Sequence, residues 1–272
     1  MKIYSTIAAA MLTAIATPAF ADETDPPPPI VLSGSVAIVS DYRFRGVSQS
    51  DKEAAIQGGI SATHRSGLYV GTWASNLAGW GTFGGANMEL DLYGGYKRSL
   101  GGGTAVDVGL TWYMYPGGAD LTDFGEGYAK LSTTLGPVSA LAGVAYAPKQ
   151  RALGNFSNTP QSRGQSQDNT YLWGDISAGI PTTPVTAKAH LGYSWGNPGL
   201  GPNGTSVTPT GKYLDYLVGL DVTFKPVTLG LAYVGTDISR RRAAYLLPNF
   251  SSTKNGSSIS SGKLLVALSA AF

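Results

Sequence analysis

The run Asn87-Met88-Glu89-Leu90-Asp91-Leu92-Tyr93-Gly94-Gly95-Tyr96-Lys97 decides the fold. Asn87, Glu89, Asp91 and Lys97 fall on one face of an extended chain, and Met88, Leu90, Leu92 and Tyr96 on the other. That period of two belongs to a β-strand with one polar and one apolar face.

The same reading extends outward in both directions. Ala105 to Tyr115 sets Asp107, Thr111 and Tyr113 against Val106, Val108, Leu110, Trp112 and Met114. Glu126 to Leu135 groups Glu126, Tyr128, Lys130 and Ser132, and Tyr171 to Ile180 sets Asp175 and Ser177 against Leu172, Ile176 and Ile180. Val185 to Trp195 places Lys188, His190 and Ser194 opposite Val185, Leu191, Tyr193 and Trp195. Leu214 to Phe224 opposes Asp215 and Asp221 to Leu214, Tyr216, Val218, Leu220, Val222 and Phe224. Upstream, Ser35 to Arg45 puts Ser35, Asp41, Arg43 and Arg45 on one face and Val36, Ile38, Tyr42 and Phe44 on the other. Weaker segments run Ile56 to Arg65, Leu68 to Asn76, Val138 to Tyr146 and Val227 to Thr236, and Lys263 to Phe272 closes the series. The total is about 12, each near the 9–11 residues that a tilted strand needs to cross a bilayer.

Alternation alone also fits a soluble β-sandwich, with the apolar face buried. Three features favour a barrel in lipid. The apolar faces carry no Asp, Glu, Lys or Arg, as lipid contact requires when a midplane charge costs about 2–4 kcal/mol. Aromatics sit near strand ends (Tyr42 and Phe44, Tyr96, Tyr146, Tyr193 and Trp195, Phe224, Phe272), as in interfacial girdles. Connections alternate in length. Short ones lie at 64–67, 98–103, 136–137, 181–184 and 225–226, and long ones at 47–54, 77–85, 116–125, 148–167, 196–211 and 238–258. Short periplasmic turns and longer extracellular loops are the outer-membrane pattern. The expected fold is therefore all-β: a transmembrane antiparallel up-and-down barrel over residues 33–272.

Composition agrees. Charged residues make up 13% of the 272, against about 25% in soluble domains. A net charge of +2 is too small to argue for nucleic acid, and the absence of cysteine removes disulfides and thiolate metal sites. Lys2, the apolar core Ile7 to Ala16, Pro18 and Ala19-Phe20-Ala21 read as a signal peptide over 1–21, cleaved before Asp22. Pro26 to Pro29 then make a stiff periplasmic spacer within 22–32. In the last strand Leu264, Val266, Leu268, Ala270 and Phe272 share a face, which resembles the signal read by the barrel-insertion machinery.

The run Ser40-Asp41-Tyr42-Arg43-Phe44-Arg45-Gly46-Val47-Ser48-Gln49-Ser50 resembles the N-terminal signature of the TorF family of porins. Gln57-Gly58-Gly59, Gly67-Leu68-Tyr69-Val70-Gly71-Thr72-Trp73 and Glu89-Leu90-Asp91-Leu92-Tyr93-Gly94-Gly95-Tyr96 follow in family order. The match covers roughly residues 35–115. It implies an outer-membrane channel and supplies no substrate.

On these grounds the lumen is expected to be lined by Asp41, Arg43, Arg45, Glu89, Asp91, Asp107, Glu126, Lys130, Asp175, Lys188, His190, Asp215, Asp221 and Lys263. Opposed acids and bases across a pore would sort small polar solutes by charge; the same residues could instead be paired charges filling a narrow barrel. Glycines assigned to the lumen face (Gly59, Gly71, Gly95, Gly109, Gly179, Gly192, Gly219, Gly230) favour room inside. His190 and Ser194 share a face as a base and nucleophile would, but both point inward, away from any lipid substrate. No enzyme chemistry, cofactor or metal is expected. Asp120, Asp123 and Glu126 lack the spacing of an EF-hand. Arg240-Arg241-Arg242, in a long loop, could meet anionic lipopolysaccharide. The first rival to a diffusion channel is a plugged structural or binding barrel, and the second a membrane-embedded lipid hydrolase, for which the sequence offers no convincing catalytic constellation.

Overall fold

The computed structural model describes residues 28–119, 121–155, 160, 163–197 and 207–272. The expected signal peptide, the first part of the Pro-rich spacer and Asp120 lie outside the described residues.

In chain order the strands are β1 (Ile30–Val39), β2 (Arg43–Phe44), β3 (Val47–Ser48), β4 (Ala55–His64), β5 (Leu68–Asn76), β6 (Met88–Gly101) and β7 (Thr104–Met114). They continue with β8 (Phe124–Leu135), β9 (Val138–Gln150), β10 (Gln167–Gly179), β11 (Val185–Gly196), β12 (Lys212–Phe224), β13 (Val227–Thr236) and β14 (Lys263–Ala271). All except β2 and β3 pair antiparallel with their neighbours and close into a barrel of 12 strands, with β1 joining β14 on one side and β4 on the other. Each of the expected segments coincides with a wall strand, the first of them only as far as Val39. β1 begins at Ile30, three residues before the expected boundary at 33, so the end of the spacer is already sheet.

The apolar faces point outward, which separates this fold from a sandwich. Leu32, Ile56 and Val218 are 67%, 71% and 64% exposed on the outer wall. A surface so rich in exposed large apolar side chains needs a lipid solvent. Trp112, Tyr146, Tyr193, Trp195 and Tyr233 are exposed near one end of the barrel, and Phe224 and Phe272 near the other. The short turns gather at the Phe272 end. One is built on Gly101, Gly102 and Gly103, all with positive φ (88°, 58° and 80°), where side-chain-bearing residues would be strained. Long connections gather at the opposite end, and the loop 237–262 between β13 and β14 buries Leu246, Phe250 and Ile259 against Val47 and Tyr213.

The chain departs from expectation after Val39. The face-sharing pattern predicts that the first strand continues to Arg45 and that 47–54 is an outer loop. Instead β1 stops, and residues 40–54 turn into the lumen as a small hairpin of β2 and β3. Its two-residue tip, Arg45-Gly46, has φ of 47° and 78°, the left-handed pair that suits a tight hairpin. Tyr42 and Phe44 are consequently not girdle residues. Tyr42 is buried against Trp73, and Phe44 meets Tyr113 edge-on.

The candidate site in the barrel lumen

The luminal face of each wall strand follows from the period of two, and all 14 expected residues lie inside the barrel. They form two zones. Toward the short-turn end, Lys130 pairs with Asp107 at 3.1 Å and Lys188 with Asp221 at 2.6 Å. Tyr69 donates to Asp107 at 2.5 Å and its hydroxyl also meets that of Tyr128. These four charged side chains keep 15–23% of their surface accessible, so water reaches this half.

The other half is filled. Here the hairpin tip and the wall lock together through charge. The Arg45 guanidinium donates to both Glu126 carboxylate oxygens at 2.6 and 2.8 Å and to Asn169 Oδ1 at 2.6 Å. Its plane lies over Tyr171, 4.2 Å from the ring centre, and over Phe44 at 4.8 Å. Arg43 donates to Asp41 at 3.0 Å and to the carbonyls of Gly46 and Ser261 at 3.0 and 2.8 Å. Ser48 donates to Asp41 at 2.5 Å, and Lys263 approaches Asp41 at 3.8 Å from β14. Bidentate, charge-assisted contacts of this kind are the strong class of hydrogen bond and fix geometry as well as energy. Tyr42 donates to Glu89 at 2.9 Å, and Tyr115 reaches the other Glu89 oxygen at 3.5 Å.

His190 sits between two carboxylates, with Nδ1 2.7 Å from Asp175 and Nε2 3.0 Å from Asp215. Both ring nitrogens can donate only in the imidazolium form. Ser194 bonds Thr208 at 3.2 Å. The shared face of His190 and Ser194 therefore brings no nucleophile–base contact.

Two inferences from sequence are corrected by this geometry. Asp41, Arg43 and Arg45 reach the interior from the inserted hairpin and not from a wall strand. Most of the luminal glycines, Gly179 excepted, do not leave open space. On the luminal face, in six directly paired positions the residue across the strand boundary is aromatic: Gly59 with Trp73, Gly71 with Tyr93, Gly95 with Tyr69, Gly109 with Tyr128, and Gly143 and Gly192 both with Trp173. A Cβ on Gly95 would stand 2.5 Å from the Tyr69 hydroxyl, because the ring lies across the glycine. Glycine is thus the seat for a neighbouring ring, a known device of sheets. At the hairpin a cavity of about 10 Å³ is bordered by Phe44, Trp80, Glu89 and Tyr115, room for about one water. Asp41, Arg43, Arg45, Glu89, Asp91, Glu126, Asp175, His190 and Asp215 are all at most 8% accessible, so water does not reach these charges.

Among solved structures the chain resembles a KdgM porin in complex with disordered oligogalacturonate, with 8% identity, a TM-score of 0.53, and 89% of this chain and 99% of that one covered. It also resembles the outer-membrane channel DcaP of Acinetobacter baumannii, with 12% identity, TM-score 0.41, and 89% and 97% covered. A third is an outer-membrane channel from Pseudomonas putida F1, with 12% identity, TM-score 0.44, and 92% and 100% covered. At these identities the first likeness is one of fold, that of a porin-like outer-membrane barrel, and the other two carry no further weight. No curated protein matches the chain. The family described as "Bacterial protein of unknown function (Gcw_chp)" matches residues 23–272, and the chain belongs to it.

Proposed function

We propose that this protein is an outer-membrane channel for passive diffusion of small polar solutes, closed at rest by the hairpin of residues 40–54. The observation that carries the reading is that the charged tip of the hairpin is held by ion pairs and hydrogen bonds to the wall, Arg45 to Glu126 and Asn169, beside the apolar packing of Tyr42, Phe44 and Val47. Polar contacts can be exchanged for water or solute when the hairpin moves outward, whereas an apolar plug has no such exchange partner. The accessible charges of the other half of the lumen and the resemblance of residues 40–50 to the TorF porins support it. Export by the signal peptide, and recognition of Phe272 by the insertion machinery, belong to the same proposal.

The test is single-channel conductance of folded protein in a planar bilayer, before and after replacing residues 41–53 with a short Gly-Ser linker. The intact barrel should be quiet with rare openings, and the linker variant should conduct steadily. A silent linker variant that still shows a folded barrel would remove the channel reading and leave the plugged structural barrel. Steady conductance by the intact protein would instead show that the hairpin is no gate.

A second contact is proposed at the outer rim. Arg240, Arg241 and Arg242 are exposed in the 237–262 loop, above the exposed aromatics Tyr193, Trp195 and Tyr233. Lipopolysaccharide phosphates would meet this cluster. Changing the three arginines to glutamine should lower lipopolysaccharide retention by the purified barrel; unchanged retention would discard the site.

A further inference from the structure

We propose that the wall pocket occupied by Arg45 is a binding site for solutes carrying a guanidinium or a similar organic cation, with Arg45 as its built-in occupant. This rests on the channel reading above and names the solute class that such a channel would admit.

The pocket belongs to the wall. Glu126 on β8 offers both carboxylate oxygens, Asn169 on β10 offers its carbonyl oxygen, and the Tyr171 ring supplies a π face at 4.2 Å. A planar fork of N–H donors matched to a carboxylate, an amide oxygen and an aromatic face is guanidinium recognition in its full form. Groups of the wall and of the loop between β11 and β12 set these orientations without help from the hairpin. Asn169 spends its amide hydrogens on the Trp195 carbonyl, at 3.1 Å, and on Thr208, which turns its oxygen toward Arg45. Tyr113 contacts the second Glu126 oxygen at 3.4 Å.

The surrounding charge agrees. Without the hairpin, the buried carboxyl groups of the wall at this level are Glu89, Asp91, Glu126, Asp175 and Asp215, against His190 and the partly exposed Lys263. Both carboxylate oxygens of Asp91, and one each of Asp175 and Asp215, are buried with no hydrogen-bond partner among the described residues. A lumen of this composition repels anions and lowers the energy of a cation passing through it. When the hairpin swings out it takes Arg43 and Arg45 with it, and a solute cation replaces what they supplied. Solute and gate then compete for one pocket, so a guanidinium solute holds the gate open while it is bound.

Chemical rescue tests the pocket without requiring the native gate to move. Arg45→Ala should melt at a lower temperature than the intact barrel in detergent. Millimolar ethylguanidinium should recover most of that loss in a saturable manner, while ethylammonium recovers less and urea none. No rescue, or equal rescue by all three, would overturn the proposal. If Arg45→Ala does not fold, the Gly-Ser linker variant carries the test, with its melting temperature read against the same three probes. In a salt gradient the linker variant should also show a reversal potential of cation-selective sign, and ethylguanidinium should block its current. An anion-selective or unblocked current would overturn the assignment, whereas a silent linker variant with intact rescue would overturn only the channel reading.

Discussion

Glu126→Leu should destabilise the folded barrel by about 3–5 kcal/mol, the largest loss expected from any single luminal substitution. Arginine cannot shed its charge in a protein, so Arg45 would be left as a buried cation with Asn169 and the Tyr171 ring as its remaining partners. The measurement is the urea midpoint of folded protein in detergent, followed by the heat-modifiable band. The double variant Arg45→Met with Glu126→Leu should recover most of the loss, since an apolar pair of similar volume has no charge to desolvate. A single variant within 1 kcal/mol of the parent, on the scale of an exposed pair, would show that water reaches this pair and that the lumen is not filled at the hairpin.

Gly95→Val should also be severe, costing about 1–3 kcal/mol or preventing closure of the barrel. The new Cβ would meet the Tyr69 hydroxyl and the Val108 carbonyl, each at 2.5 Å, and the carbonyl belongs to the sheet and cannot rotate away. The readout is the folded fraction after refolding into detergent. Gly95→Val combined with Tyr69→Ala should recover only part of the loss, because the backbone contact persists. Full recovery would place the whole effect on the ring.

These two sites show what the sequence discloses and what it hides. The strands were legible because each wall residue faces either lipid or lumen, and Asp91 beside Leu90 and Leu92 declares the choice locally. The luminal position of Glu126, Asp175 and Asp215 follows from the same alternation. The hairpin was hidden because Asp41, Tyr42, Arg43, Phe44 and Arg45 keep a period of two while leaving the wall. Alternation cannot tell a strand facing lipid from one facing a packed lumen. Gly46 was the available signal, since a glycine after Arg45 permits the tight turn that ends the run. The seating of rings on glycine was also beyond reach, because it depends on register: Gly95 means space when read alone, and an occupied seat once Tyr69 is known to lie opposite.

The closure of β1 on β14 has a consequence for how the molecule is assembled and how it opens. That seam joins Ser35 to Ala271, partners near opposite ends of the chain, and contacts of such separation form late. The hairpin follows β1 directly, so the strand that closes the ring also carries the inserted segment. The 237–262 loop covers the hairpin at the long-loop end of the barrel. That loop is fastened to it by Ser48 N–H to the Ile259 carbonyl at 3.0 Å, Lys52 to Ser257 at 2.8 Å, and Thr253 to Asp51. On the channel reading proposed above, opening is sequential, like a latch in front of a bolt: the outer loop releases first, and a molecule that grips that loop would control a passage it never enters.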